Sequence, residues 1–190
     1  MQERTTFPRL LLAHAATRGA RTAYREKDLG IWQSWSWQEA AHEVRMLACA
    51  LAAAGFKRGD NLAIVGNNRV RLYWAMTAAQ ALGGVAVPLY QDAVAAEMIH
   101  VLDDAEIDFA IVEDQEQVDK LLELRERVPR LSTIIYEDPR GLRNYNAAGL
   151  LSYADAVAQG RDFNARHPRY FDEAVASVDP DDTATILYTS

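Results

Sequence analysis

Asn61-Leu62-Ala63-Ile64-Val65, then Gly66-Asn67-Asn68-Arg69, then a helical pattern from Val70 to Leu82, then Gly83-Gly84 and Val85-Ala86-Val87-Pro88-Leu89: this run decides the fold. An apolar segment of strand length passes through a polar turn into a helix, and paired glycines return the chain to a second apolar segment. The unit recurs. Further strands begin at Phe109 (Ala110-Ile111-Val112) and Thr133 (Ile134-Ile135-Tyr136), so the four starts, 61, 85, 109 and 133, lie 24 residues apart. Helical patterns from Ala93 to Leu102 and from Gln115 to Val128, the latter closed by Pro129, fill the intervals. Strand, crossover helix and strand in succession predict parallel pairing with helices on the sheet faces. The residues themselves do not repeat, so the class is layered α/β and not a solenoid. Pro88 marks an edge, a bulge or a strand exit, because it lacks an N–H.

Upstream, Phe7, Leu10, Leu11 and His14-Ala15 form an apolar stripe with Pro8 in the first turn and Gly19 at the end, a short amphipathic helix. Thr22 to Lys27 and Ile31 to Trp35, joined by Asp28-Leu29-Gly30, predict a small β-hairpin. Ser36-Trp37-Gln38-Glu39 is a capping box that starts a helix burying Ala40, Val44, Leu47, Ala48 and Leu51 and ending at Gly55. Downstream, Glu137 to Gly149 is a polar connection. Short helices are predicted from Ser152 to Gln159 and from Pro168 to Val175. The turn Asp179-Pro180-Asp181-Asp182 then feeds a last apolar strand, Thr183 to Tyr188. A seam at that turn divides the chain into 1–178 and 179–190.

Composition excludes several classes. The chain has 190 residues, enough for one core, with 49% hydrophobic and 25% charged residues. A net charge of −7 leaves no basic surplus for nucleic acid or for polybasic attachment to a membrane. The single cysteine, Cys49, excludes an internal disulfide framework and suits a reducing cytoplasm; its helical setting makes it a small buried apolar residue. No apolar run approaches the length of a bilayer span, so any membrane contact is expected to be peripheral.

Candidate chemistry gathers at the carboxyl ends of the strands, where open α/β sheets bind ligands. Those ends carry Gly66-Asn67-Asn68-Arg69, Tyr90-Gln91-Asp92, Glu113-Asp114 and Tyr188-Thr189-Ser190. No G-x-G-x-x-G follows the first strand, so the dinucleotide fingerprint is missing. Asp92, Glu113 and Asp114 sit where helix caps belong, and capping accounts for them better than a metal pocket. His14, His42, His100 and His167 lack ligand spacing. Arg58-Gly59-Asp60 is explained by a tight turn. Trp32, Trp35 and Trp37 are read as cover for the hairpin and the helix that follows, ahead of a stacking platform. Thr189 and Ser190, delivered by an apolar strand, open the kind of loop whose backbone N–H groups cradle phosphate, once glycines follow.

Four stretches, in order, resemble the N-terminal part of the adenylate-forming acyl-CoA synthetases. They are Ser34-Trp35-Ser36-Trp37-Gln38-Glu39; Gly55-Phe56-Lys57-Arg58-Gly59-Asp60-Asn61-Leu62-Ala63-Ile64; Ala81-Leu82-Gly83-Gly84-Val85-Ala86-Val87-Pro88-Leu89; and Asp181-Asp182-Thr183-Ala184-Thr185-Ile186-Leu187-Tyr188-Thr189-Ser190. Lys27-Asp28-Leu29-Gly30-Ile31-Trp32, Leu89-Tyr90-Gln91-Asp92 and Glu113 to Lys120 are similar to the long-chain fatty-acid branch. The resemblance implies an ATP-dependent ligase that joins a carboxylic acid to AMP, releases pyrophosphate and passes the acyl group to coenzyme A, with ATP, Mg2+, coenzyme A and a fatty acid as partners.

It also implies that Tyr188 anchors a strand whose Thr189 and Ser190 are the first hydroxyls of a loop closing over the nucleotide phosphates. The glycines and lysine of that loop, the adenine, ribose and metal motifs and a mobile C-terminal domain all lie outside these residues. The expectation is therefore the first subdomain of a cytoplasmic ligase. It has no catalytic or metal-ligating residue of its own, no activity alone, and an uncovered last strand that leads either to self-association or to poor order from Thr183 to Ser190. A rival reading is a non-catalytic ligand-binding or receiver-like α/β module. A receiver needs clustered acids at its first strand, and Gly66-Asn67-Asn68 does not supply them.

Overall fold

The computed structural model describes residues 4–189. Helix α1 (Phe7–Arg18) starts at Thr6, whose hydroxyl accepts the Arg9 N–H, and carries Pro8 in its first turn. Strands β1 (Thr22–Asp28) and β2 (Ile31–Ser36) form the antiparallel hairpin. Helix α2 (Trp37–Ala53) begins with the capping box in both directions, Ser36 to the Glu39 N–H and Glu39 back to the Ser36 N–H. It ends at Gly55, whose φ of +97° lets the chain turn away toward β3.

The 24-residue rhythm is a parallel sheet. Strands β3 (Asn61–Val65), β4 (Val85–Leu89), β5 (Phe109–Val112) and β6 (Thr133–Tyr136) all join it, with α3 (Val70–Ala81), α4 (Ala95–Asp104) and α5 (Gln115–Leu124) between them. The order is β4-β3-β5-β6-β7 and every pairing is parallel. Strand β7 (Leu150–Ser152) is an addition to the sequence reading, which left Leu150 and Leu151 unassigned and used Ser152 only to start the following helix. It pairs with β6 after an irregular connection that takes the place of a crossover helix. The last helices are α6 (Tyr153–Arg166), longer than its predicted Ser152–Gln159, and α7 (Tyr170–Ser177).

Strand alternation sorts the core into two layers. Leu62, Ile64, Phe109, Ile111 and Ile135 face a layer built from α1, α2, α3, α6 and α7. Ala63, Val65, Val87, Ala110, Val112 and Ile134 face α4 and α5. Cys49 lies wholly in the first layer, where burial pushes its thiol up to about 11, as expected of an inert apolar residue. Helices α2 and α6 approach so closely that a Cβ at Gly160 would overlap the carbonyl of Met46.

The predicted last strand is largely absent as a ladder. One parallel bridge joins Thr185 to Ala86 on the outer edge of β4: Ala86 donates to the Ala184 carbonyl at 3.2 Å and accepts from Ile186 at 3.0 Å. In a parallel ladder the next rung on that edge belongs to residue 88, and Pro88 has no N–H to donate. The edge role predicted for Pro88 holds, and the same residue stops the pairing after one rung.

Candidate functional site

Helix α3, linking β3 to β4, lies on one face of the sheet, and α4, linking β4 to β5, lies on the other. The winding thus reverses between β3 and β5. In doubly wound sheets the crevice beyond such a reversal is the usual ligand position. Here the protein's own side chains occupy it. Gly66 ends β3, and a Cβ on it would fall 2.6 Å from the Glu113 Cβ and 2.7 Å from Leu72. Only glycine lets the two strand ends come so close. Asn67 then donates its backbone N–H (2.6 Å) and its side-chain amide (3.0 Å) to Oε2 of Glu113.

Arg69 completes the plug. It pairs with Glu26 of β1 at 3.2 Å and with Glu113 at 3.3 Å, and its Nε faces Glu137 at 3.8 Å. Arg71 pairs with Glu137 at 3.0 Å and lies over the Tyr153 ring. Glu26 also accepts the Val70 N–H at 2.8 Å, which holds the start of α3. Arg69, Glu26, Glu113 and Glu137 are mostly buried. Burial raises the Glu137 carboxyl above its usual range, against the lowering pull of Arg71 and Arg69. The neighbouring Asp138 is lowered, chiefly by its hydrogen bonds from Arg140. Buried networks of this kind gain little net energy, because desolvation offsets attraction. The consequence is geometric: the ends of β1, β3, β5 and β6 are fixed relative to one another.

The open part of the carboxyl edge lies beside β4. A cleft of about 220 Å³ is lined by Gly66, Asn67, Asn68, Leu72, Tyr73, Met76, Pro88 and Leu89. Because the Thr185–Ala86 bridge is parallel, the segment that follows it runs toward this same edge. Tyr188 is tied to the second half of α4: its hydroxyl donates to Asp104, in the helix's last turn, at 2.5 Å and its ring meets His100 edge-on at 6.3 Å. The bond to Asp104 pushes the Tyr188 phenol up to about 12. Upstream, Gln80 donates to the Ala184 carbonyl at 3.0 Å. The turn at 179–182 is clamped as well: Arg4 pairs with Asp181, Arg58 with Asp182, and Arg9 donates to the carbonyls of Ala176 and Val178.

The sequence candidates fall out as follows. Tyr188 is tied by its side chain to α4, Thr189 is exposed, and Ser190 lies outside the described residues. Asp114 caps α5 by accepting the Gln117 N–H, as expected. Glu113 is no cap but the hub of the network, and Asp92 is exposed ahead of a helix that begins without a side-chain cap. Arg58-Gly59-Asp60 is a tight turn, with Asp60 accepting the Lys57 N–H, and its arginine also clamps Asp182. Trp35 packs edge-on against Trp74 and Trp37 against His14, while Trp32 stays exposed instead of covering anything. Sequence reasoning placed Arg69 at the strand end without its role and missed Glu26, Glu137 and Asp104. Single charged residues in loops carry no spacing signal, although an arginine at the end of the first strand of such a sheet was a hint.

Together these observations define a class: a doubly wound parallel α/β layer whose switch point is plugged and whose usable edge is at β4. The profile of the AMP-binding enzyme family matches residues 11–190, and the chain belongs to that family. It is 31% identical over 163 residues to long-chain-fatty-acid–CoA ligase FadD15 of Mycobacterium tuberculosis, across 85% of this chain and 25% of that protein. It is 26% identical over 173 residues to long-chain-fatty-acid–CoA ligase ACSBG2 of Xenopus laevis, across 90% of this chain and 23% of that protein. The chain thus spans about a quarter of the length of these relatives. Coronafacic acid ligase from Pectobacterium brasiliense shares the fold, with a TM-score of 0.75 at 21% identity over 95% of this chain and 33% of that one. Family membership sets the receiver reading aside.

Proposed function

We propose that the chain is the part of a cytoplasmic long-chain fatty-acid–CoA ligase that carries the strand leading into the phosphate loop. The reaction is the joining of a fatty acid to AMP with release of pyrophosphate, followed by transfer of the acyl group to coenzyme A. The observation that supports the reading is the parallel bridge at Thr185, which sets the start of the last segment running in the direction of the sheet's strands. The names of the two relatives support the fatty-acid substrate.

The residues fit the implied groups unequally. The hydroxyl of Thr189, with that of Ser190 next in sequence, suits a phosphate oxygen, as hydrogen-bond donors at a strand end do. When bound, ATP supplies the adenylyl group and the pyrophosphate leaving group. Tyr188, tied to Asp104, precedes Thr189 directly and restrains its backbone. A Mg2+ ion is not matched: the carboxylates of Glu113, Glu137 and Asp138 are engaged by Arg69, Arg71 and Arg140, and no group of three metal-binding side chains gathers among the described residues. No residue set for coenzyme A is assigned.

The test is fatty-acid-driven exchange of pyrophosphate into ATP, run on the gene product that carries these residues with acids of graded length. Exchange driven by long-chain acids and not by acetate is expected. Exchange driven only by short or aromatic acids overturns the fatty-acid reading.

A further inference from the structure

The hairpin ends in a surface that the core does not use. Its turn, Leu29-Gly30, has positive φ at both positions, 45° and 84°. That is type I′ geometry, in which Asn-Gly is the favoured pair and leucine is costly. Yet Leu29 is 82% exposed, with Ile31 66% and Trp32 58% exposed beside it. Three adjacent apolar side chains thus crown a ribbon at a place where asparagine would hold the turn better.

The register sorts the rest. Lys27 pairs with Trp32 and Arg25 with Ser34, so Arg25, Lys27 and Trp32 share one face, and the Arg25 guanidinium sits 4.7 Å from the centre of the Trp32 ring. The other face turns inward: Glu26 is held by Arg69 and the Val70 N–H, and Tyr24 and Trp35 pack on Trp74. The cations therefore face out beside Trp32, while Glu26, Asp28 and Ile31 lie on the other face, the last two exposed at the tip. Asp28 is an acid beside the turn, and its charge acts on Arg140.

We propose that this tip docks on an anionic lipid bilayer, with Leu29, Ile31 and Trp32 entering the interfacial layer and Arg25 and Lys27 meeting the headgroup phosphates. Tryptophan favours that layer, and basic side chains beside it add attraction to anionic lipid. The hairpin's backbone pairs within itself up to Asp28 and Ile31, so only the peptide groups of Leu29 and Gly30 remain to be hydrated, which the headgroup layer allows and the hydrocarbon does not. The net charge of −7 makes contact depend on this local pair of cations. A convex tip of three side chains falls well short of the roughly 800 Å² per partner of a stable protein interface. The Glu26 contacts place the hairpin beside the carboxyl end of β3, so a docked bilayer lies toward the ligand edge of the sheet. This rests on the fatty-acid reading only for its purpose, delivery of a poorly soluble acid; vesicle binding and pyrophosphate exchange are separate measurements and fail separately.

The test is co-sedimentation of the 190-residue chain with vesicles of phosphatidylcholine, alone or mixed with phosphatidylglycerol. Quenching of tryptophan fluorescence by brominated acyl chains is read on the same samples. Binding about tenfold tighter to the mixed vesicles, weakened by salt, is expected. Leu29→Asn with Ile31→Thr should lose about tenfold or more in binding while the melting temperature holds or rises, since Asn-Gly suits the turn. Arg25→Gln with Lys27→Gln should erase the preference for phosphatidylglycerol. No binding to either vesicle, or undiminished binding by the Leu29→Asn/Ile31→Thr variant, overturns the proposal. So does light scattering that shows the wild type self-associating through the tip while ignoring vesicles, which assigns the surface to a second copy.

Discussion

Asn67 and Glu113 join the carboxyl ends of β3 and β5 at a single oxygen: the Asn67 backbone N–H lies 2.6 Å and its side-chain amide 3.0 Å from Oε2 of Glu113. The other oxygen of Glu113 meets Arg69, which also holds Glu26. One carboxylate thereby ties two strands, a loop and the hairpin together.

Removing that carboxylate should destabilise the fold strongly. Glu113→Ala leaves Arg69 in a mostly buried site with fewer partners and strands the Asn67 N–H. A loss of about 3 kcal/mol is expected, as for other broken buried pairs. Glu113→Gln keeps an acceptor for Asn67 and should lose less. Urea unfolding of both variants measures this; a change of less than about 0.5 kcal/mol for Glu113→Ala would show that the network contributes nothing to stability.

Glu137 should give an unusual pH dependence. Burial raises its folded pKa above the unfolded value, so the folded state binds the proton more tightly. Its contribution to stability is therefore full below the unfolded pKa and declines as pH rises through the raised folded value. Asp138, lowered by Arg140, acts in the opposite direction: its contribution is present above its unfolded pKa and is lost as pH falls through the folded value. Glu137→Gln should consequently gain stability relative to wild type as pH rises from about 4 to about 7. A difference between the two proteins that stays flat or shrinks across that range refutes the assignment.

How far the sequence could be read depends on what carries a period. Strands β3 to β6 were legible because four apolar runs recur at one spacing and each is buried on both faces. The capping box of α2 was legible because Ser36 and Glu39 are local partners. Strand β7 was not: it has three residues, and Ser152 ends it while also capping α6 through the Asp155 N–H. The plug at the switch point was not legible either. Glu26, Arg69, Glu113 and Glu137 meet across long stretches of chain, and no local rule links them. The proposed phosphate-site residues, Tyr188 to Ser190, were read from an apolar run and from resemblance. The anchoring of Tyr188 by Asp104 came only with the fold.

Gly160 should resist even the smallest side chain. It lies inside α6, where alanine would normally add about 1 kcal/mol of helix stability. At this position the added Cβ would overlap the Met46 carbonyl, and backbone cannot rotate out of the way as a side chain can. Gly160→Ala is expected to destabilise by about 2 kcal/mol as α2 and α6 are forced apart. The neighbouring exposed Gln159→Ala is expected to change stability by less than about 0.5 kcal/mol. Equal urea midpoints for the two variants would show that the helix crossing is looser than described.

Pro88 decides how firmly the segment from Ala184 onward is held against β4. Ala86 uses both its N–H and its carbonyl on the Ala184 to Ile186 segment. Residue 88 points its backbone the same way, so with an N–H it would donate to the Ile186 carbonyl and its own carbonyl could accept from Tyr188. Proline forbids the first bond, and pairing ends at Thr185. Tyr188 is then held by its side chain alone, through Asp104. Pro88→Val should add the missing rung and slow amide exchange at Tyr188 by about tenfold, worth about 1.4 kcal/mol of local stability. Tyr188→Phe should act in the reverse sense, removing the bond to Asp104 and speeding exchange across Ile186 to Thr189 by about fivefold, worth about 1 kcal/mol. If the valine variant leaves exchange at Tyr188 unchanged while that at Ala86 stays protected, the single rung is set by the course of the segment itself and not by Pro88.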